Sequence, residues 1–266
     1  MNIRLGIPLV VLTLAASIVC ASGKLETGET TISIVLDRYS VNPELERPGG
    51  FSCVIQTPVA NILFDTGYGS SAGKFLLSNM EKMNIDPLDI DIVVISHSHL
   101  KGGLMDFLER NPNVTVCCPG AFREEAMVEN YGAKLRELDK FTKIAKHVYS
   151  TGGFKSETDP NIEQSLVIDT EAGLVVVCGC AHPGIINVLE RVMASLPNKN
   201  LHLVMGGFHL ESTTLERQEQ ILQRFIELGV ERVSPCSCSG GRFREIAERE
   251  YKENYVECGV GLIIRI

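Results

Sequence analysis

Two histidines one residue apart, His97 and His99, close the apolar stretch Val93-Val94-Ile95-Ser96-His97-Ser98-His99. Residues i and i+2 of an extended chain project to the same side, so both imidazoles can converge on a point just past a strand end. That arrangement suits Zn²⁺, which takes neutral imidazole at ~2.0–2.1 Å. Two histidines do not complete such a site, so other parts of the chain must supply the remainder. Asp65, in Phe-Asp-Thr-Gly, is expected either to accept a hydrogen bond from a ligand imidazole, fixing its tautomer, or simply to make an Asp-Thr-Gly turn. His209, in Gly-Gly-Phe-His, could ligate, donate to an anionic substrate or cap a strand end. Lys101 supplies fixed positive charge for a phosphate or carboxylate, or else stands exposed before a helix.

The elements that must position these groups follow from periodicity. The β-branched run at 93–95 reads as a buried strand, and the glycine pair Gly102-Gly103 as the place where a helix begins. Strands are expected at 31–37, 51–57 and 61–64, a helix at 72–83, another at 103–110 and a strand at 114–118. The segment 121–146 reads as one or two charged amphipathic helices. In the second half, 165–169 and 174–178 form a hairpin, followed by a helix at 185–196 and a strand at 201–205. A helix begins at Thr213, and a closing strand is expected at 260–264. Strand ends repeatedly deliver histidine or cysteine to what reads as one rim of a single domain.

At 266 residues with 44% hydrophobic content, the chain can bury a large core. Its net charge of −8 and lack of tryptophan argue against a nucleic-acid-binding surface. The first 21 residues resemble a secretory signal, with Arg4, an apolar stretch and small residues at Cys20-Ala21-Ser22. Cleavage after Ala21 leaves a mature chain of residues 22–266 without a stable membrane span, exported to the periplasm or beyond. An uncleaved N-terminal anchor is the alternative. Export places the remaining cysteines in an oxidising compartment. Cys236 and Cys238 read as structural thiols or a redox pair rather than ligands.

Phe-Asp-Thr-Gly at Asp65, His97-Ser98-His99 after a strand, and Gly102-Gly103-Leu104 together resemble the metallo-β-lactamase-fold superfamily. The motifs His182-Pro183-Gly184-Ile185, Gly206-Gly207-Phe208-His209-Leu210 and Cys238-Ser239-Gly240 are similar to its dihydropterin / ribofuranosylaminobenzene 5′-phosphate synthase-like branch. The similarity covers residues 31–266. It implies an α/β fold, the αββα sandwich of two packed mixed sheets with helices outside, with metal held at one edge between the sheets. It also implies His97, His99 and His182 as ligands of a first metal, with Cys180 near a bridging position. For Cys180 a buried thiol is the other reading. The pattern His-x-His-x-Asp-His is broken here. Lys101 and Gly102 stand where the aspartate and the next histidine belong, or two residues are missing. Ser237 replaces the histidine of the branch's His-Cys-Thr-Gly. These three positions serve a second metal.

The resulting expectation is a metal-dependent hydrolase with one zinc, iron or manganese being possible alternatives, acting on a small anionic ester, amide or phosphoester. Three imidazoles and a water form a known catalytic zinc set that brings the water's pKa to ~7. A non-catalytic ligand- or metal-binding descendant and a synthase-like transferase are the alternatives. Oligomeric state is not readable from the sequence.

Overall fold

Period-2 alternation divides almost every strand between two cores. In Gly173–Cys178 (β10), Val175 and Val177 pack into one buried cluster, while Leu174, Val176 and Cys178 pack into another. A strand apolar on both faces must be covered on both faces. The computed structural model, which describes residues 29–120, 122, 125–155 and 161–266, resolves this requirement as four layers. The leader read at 1–21 lies outside the described residues.

The first sheet has seven strands. Thr31–Leu36 (β1), Ser52–Gln56 (β2) and Asn61–Phe64 (β3) form an antiparallel meander. Ile92–Val94 (β4), Thr115–Cys118 (β5) and Lys134–Glu137 (β6) extend it in parallel, and Ile263–Arg265 (β13) pairs antiparallel with β1. The second sheet runs in the same order. Thr142–Ala145 (β7), Val148–Ser150 (β8), Leu166–Thr170 (β9) and β10 are antiparallel, then Leu201–Gly206 (β11) and Arg232–Pro235 (β12) are parallel. Ile32, Ile55, Phe64 and Val94 of the first sheet meet Leu166, Val177 and Met205 of the second in the central core.

Helices Ala72–Lys82 (α1), Leu104–Arg110 (α2) and Glu125–Asn130 (α3) cover the outer face of the first sheet through Leu76, Met80, Phe107, Leu108 and Val128. Ile185–Ser195 (α4), Leu215–Glu227 (α5) and Gly241–Tyr251 (α6) cover the second. There Phe208, Phe225 and Phe243 meet edge to face, with centroids 5.7–6.3 Å apart. The αββα sandwich expected from the motifs is therefore the fold. Among the described residues no helix is long and apolar enough to cross a membrane.

One stretch departs from the sequence reading. Among the described residues of the segment 121–146 only Glu125–Asn130 is helical, and the strands β6 and β7 lie in the remainder. These strands are the outermost members of their sheets. Edge strands carry charged side chains that discourage further pairing, so their sequence lacks the apolar alternation of an inner strand. Lys134-Leu135-Arg136-Glu137 is largely exposed and matches a charged helix face equally well.

Asp37, just beyond β1, is a buried carboxyl whose Oδ2 has no hydrogen-bond partner, while Oδ1 accepts from the Tyr39 amide at 2.8 Å. Burial lifts its pKa from 3.8 to about 7, against the opposing pull of the Tyr39 amide, Arg244 and the Ser237 amide. The folded state therefore holds this proton more tightly than the unfolded chain. Its contribution to stability declines as pH rises from about 4 to about 7 and stays low above that. Asp37→Asn is expected to remove this slope and to stabilise the protein at pH 8 by on the order of 4 kcal/mol. Urea denaturation of both proteins across pH 4–8 measures the difference.

Candidate metal centre at the strand ends

The parallel strands of both sheets end at the same rim, and the chemically capable residues lie in the turns beyond them. Asp65 follows β3, His97 and His99 follow β4, Cys180 and His182 follow β10, His209 follows β11 and Cys238 follows β12. Open α/β sheets build their sites outside the carboxyl ends of strands because side chains from several turns converge there. Four non-glycine residues in these turns adopt left-handed backbone: Asp65 (φ 59°), Ala181 (57°), His209 (54°) and Ser237 (41°). Each costs roughly 1–3 kcal/mol, and such residues cluster where function fixes the backbone.

Three imidazole rings face one another. The His97 and His99 centroids are 5.1 Å apart, His97 and His182 4.7 Å, and His99 and His182 5.6 Å. Donor atoms of His97, Cys180 and His182 all lie within 4.8 Å of one another. His97 and His182 are buried, and His99 is exposed at the mouth. His209 sets its ring tilted at 46° to that of His182, with centroids 4.5 Å apart, and its Nδ1 lies 3.3 Å from Cys180 Sγ. The turn thus brings His97, His99, Cys180, His182 and His209 together.

Two buried carboxylates set the outer nitrogens of this cluster. Asp65 Oδ1 accepts from the Ser96 amide, and its Oδ2 lies 2.7 Å from Ser96 Oγ, which in turn lies 2.8 Å from His97 Nδ1. When Asp65 is ionised it can only accept, so the serine proton is directed to it and the serine oxygen accepts from His97 Nδ1–H. His97 Nε2 is then left as a bare lone pair. Asp65 does not touch an imidazole, as one sequence reading had it, but acts through Ser96. Burial raises its carboxyl well above the ordinary range, and the two Ser96 hydrogen bonds oppose that. Burial also lowers His97 to about 4, against the attraction of Glu163, so its ring is neutral near pH 7.

Glu163 is the second carboxylate, and sequence reasoning missed it. Oε1 accepts from the amides of Cys180 and Ala181, each at 2.8 Å, and Oε2 from the His182 amide at 2.9 Å and His182 Nδ1 at 2.7 Å. Burial pushes this carboxyl up, but the His182 hydrogen bond, the electrostatic pull of the His97 and His182 rings and the Cys180 amide outweigh it and hold Glu163 at about 2. Its place is fixed by Gln164, whose amide donates to the Ser96 carbonyl and whose Nε2 donates to those of Ile95 and Cys117. The only sequence signal was a polar Glu-Gln-Ser ahead of the apolar strand β9.

The other residues singled out in the sequence separate. Lys101 is half-buried, with Nζ 5.6 Å from the Phe122 ring centroid, and partial burial lowers its pKa. Cys236 forms a disulfide with Cys258, so it does not pair with Cys238. Cys238 instead lies at the rim, with Sγ 2.8 Å from Cys180 Sγ.

Space for the Asp65–Ser96–His97 chain depends on Gly179. A Cβ there would collide with Ser96 Oγ and lie 2.6 Å from Asp65 Oδ2. Gly179→Ala is expected to cost roughly 1–3 kcal/mol of stability through overpacking. It should also weaken cation binding about 10–100-fold by displacing an outer partner of His97. Urea midpoints and cation titration of the two proteins test both effects.

Comparison with known proteins resolves the family. Residues 46–192, more than half of the chain, match the metallo-beta-lactamase superfamily. The chain belongs to that superfamily. This metallo-beta-lactamase-fold protein is 25% identical over 249 residues to 7,8-dihydropterin-6-methyl-4-(beta-D-ribofuranosyl)-aminobenzene-5′-phosphate synthase of Methanocaldococcus jannaschii, covering 77% of this chain and 84% of the relative. Among solved structures it superposes on Tm1679, a metal-dependent hydrolase of the beta-lactamase superfamily, with a TM-score of 0.73 and 28% identity. That match covers 89% of this chain and 99% of the other. It shares the fold of YhfI from Bacillus subtilis at a TM-score of 0.64 and 12% identity, over 90% and 100% of the two chains. The metallo-beta-lactamase fold is one that binds divalent metal, and the clustered imidazoles, with the outer nitrogens of His97 and His182 held by hydrogen bonds, have donor chemistry that fits one.

Proposed function

We propose that this metallo-beta-lactamase-fold protein is a metal-dependent hydrolase that holds one zinc ion through His97, His99 and His182, with Cys180 beside them. The observation that carries this reading is the pair of buried carboxylates. Asp65, through Ser96, and Glu163 engage Nδ1 of His97 and His182, leaving the opposite nitrogen of each ring as an acceptor. Imidazole donors in that state suit zinc better than the harder ions that prefer oxygen. When bound, such a cation supplies Lewis-acid polarisation of the bond under attack and makes water acidic enough to act at neutral pH.

The chain's own residues do the rest. His97 stays neutral near pH 7, and both His97 and His182 are oriented because their Nδ1 atoms are hydrogen-bonded to buried acceptors. His209, exposed beside His182, and Lys101, in the turn after His99, offer positive or hydrogen-bonding groups to a small anionic ester, amide or phosphoester. The buried walls of the two sheets exclude water behind the imidazoles. Export after removal of residues 1–21 belongs to the same proposal, and the Cys236–Cys258 disulfide supports it, since such bonds persist in oxidising compartments.

A synthase-type reaction is the second reading, favoured by the 25% identity to the Methanocaldococcus jannaschii synthase. A panel of phosphoesters, carboxyl esters, lactones and amides, offered to zinc-loaded wild type and His182→Ala, tests the first. The proposal expects turnover of at least one class by wild type and a loss of about 10²–10³-fold in His182→Ala, the range seen when a group central to transition-state charge is removed. Zinc-loaded protein that hydrolyses nothing on the panel but forms 7,8-dihydropterin-6-methyl-4-(beta-D-ribofuranosyl)-aminobenzene-5′-phosphate would establish the synthase instead.

A further inference from the structure

The strands β10, β11 and β12 are adjacent and parallel, and their last residues are in register: Cys178 pairs with Gly206, and Gly206 with Pro235. Neighbouring strands lie about 4.8 Å apart, so residues two or three positions past those ends fall side by side. Those positions are Cys180, His209 and Cys238. One donor atom from each lies within 4.8 Å of the other two. Cys180 Sγ is 2.8 Å from Cys238 Sγ and 3.3 Å from His209 Nδ1, and the His209 amide faces Cys238 Sγ at 3.4 Å. We infer that Cys180, His209 and Cys238 form a second cation site of two thiolates and one imidazole, sharing the Cys180 sulfur with the histidine site.

Three independent features favour a ligand here over a pair of incidental thiols. Each of the three turns carries a non-glycine residue in left-handed backbone, at Ala181, His209 and Ser237, a strained conformation that clusters at ligand sites. Gly207 leaves the space that the Cys238 sulfur occupies, since a Cβ there would lie 2.6 Å from Sγ. His209 is exposed and Cys238 half-exposed, which gives a cation a way in, whereas Cys53, Cys117 and Cys178 are sealed in the cores.

The donor set selects the occupant. Two thiolates with one imidazole favour a soft or borderline ion such as Zn²⁺, Co²⁺ or Cu⁺ over Mg²⁺ or Ca²⁺. Zn–S bonds of about 2.3 Å allow two sulfurs on one ion to be at most about 4.6 Å apart, so seating an ion requires the two sulfurs to move apart from their present contact, a side-chain adjustment. The inference rests on the proposed function through the shared Cys180, and it makes His209 a ligand in place of the substrate contact given to it there, which leaves that contact to Lys101; the site would exist even if the reaction were not hydrolysis.

Co²⁺ titration of the reduced, metal-stripped full chain tests it, reading stoichiometry together with the near-ultraviolet thiolate-to-cobalt absorption. Wild type is expected to take two equivalents. Cys238→Ser is expected to take one, with most of the thiolate band lost. His209→Asn, which tolerates the left-handed backbone, is expected to bind the second equivalent at least tenfold more weakly. His97→Ala is expected to lose one equivalent and keep the band. One equivalent in wild type, unchanged in Cys238→Ser, overturns the second site while leaving the histidine site standing. No equivalent at all overturns both. A Cys180–Cys238 cross-linked peptide recovered from metal-loaded protein also overturns it, in favour of a disulfide.

Discussion

Glu163→Gln is expected to weaken cation binding by about 10–100-fold and to destabilise the fold by roughly 2–4 kcal/mol. The carboxylate accepts four hydrogen bonds, two on each oxygen, and all four donors are buried. An amide has one accepting end, so the substitution must turn an NH₂ group toward N–H donors whichever way it is placed. With the NH₂ toward Cys180 and Ala181, two backbone amides lose their acceptor. With it toward His182, Nδ1 becomes the acceptor and the proton shifts to Nε2, the nitrogen needed for a cation. Glu163→Ala strands all four donors and is expected to fold poorly. Because Glu163 sits at about 2 rather than 4.5, its contribution in metal-stripped protein is complete above pH 4.5 and is lost as pH falls toward 2. Glu163→Gln should therefore flatten the acid limb of the stability curve by on the order of 3 kcal/mol. Urea melts between pH 2 and 7, with zinc titration at pH 7, check both statements. Equal affinity in the two proteins would show that Glu163 does not orient His182.

The second large effect is expected from removing the cation itself. A ligand that binds only the folded state at a thousand times its dissociation constant adds about 4 kcal/mol. For a chain of this size each kcal/mol moves the thermal midpoint by roughly 2–4 °C, so chelation should lower it by about 8–16 °C. The rim is where this energy enters. It holds several left-handed residues and the His97 and His182 rings in one place, and without a cation the imidazoles have only their outer hydrogen bonds to fix them. Readdition of zinc should restore the midpoint, and a midpoint indifferent to both chelator and zinc would show that no folded-state cation contributes.

The sequence made His97 and His99 legible because their spacing and the apolar run before them reflect strand geometry, which is local. The hairpin β9–β10, the helix α4 and the glycine start of α2 were legible for the same reason. Glu163 was not, because its importance comes from folding onto the turn after β10, and the polar Glu-Gln-Ser around it does not say which turn it meets. Of the two readings of Cys-x-Cys, structural thiols or a redox pair, the pair fails, because strand direction sends the Cys236 sulfur to Cys258 in the interior and the Cys238 sulfur to the rim. The strands β6 and β7 were read as helix because edge strands are written in charged residues. Lys101 and Ser237 stand where the resembled pattern has ligands. The structure sets Lys101 near Phe122 and bonds the Ser237 hydroxyl to the Gly50 carbonyl at 3.1 Å.

Cation content per chain, measured on protein purified without chelator for wild type and His97→Ala, tests the histidine centre most directly. At least one equivalent of zinc in wild type, reduced by one equivalent in a folded His97→Ala, is the result expected here. Wild type that retains no zinc, iron or manganese, or a variant that retains as much as wild type, would contradict it.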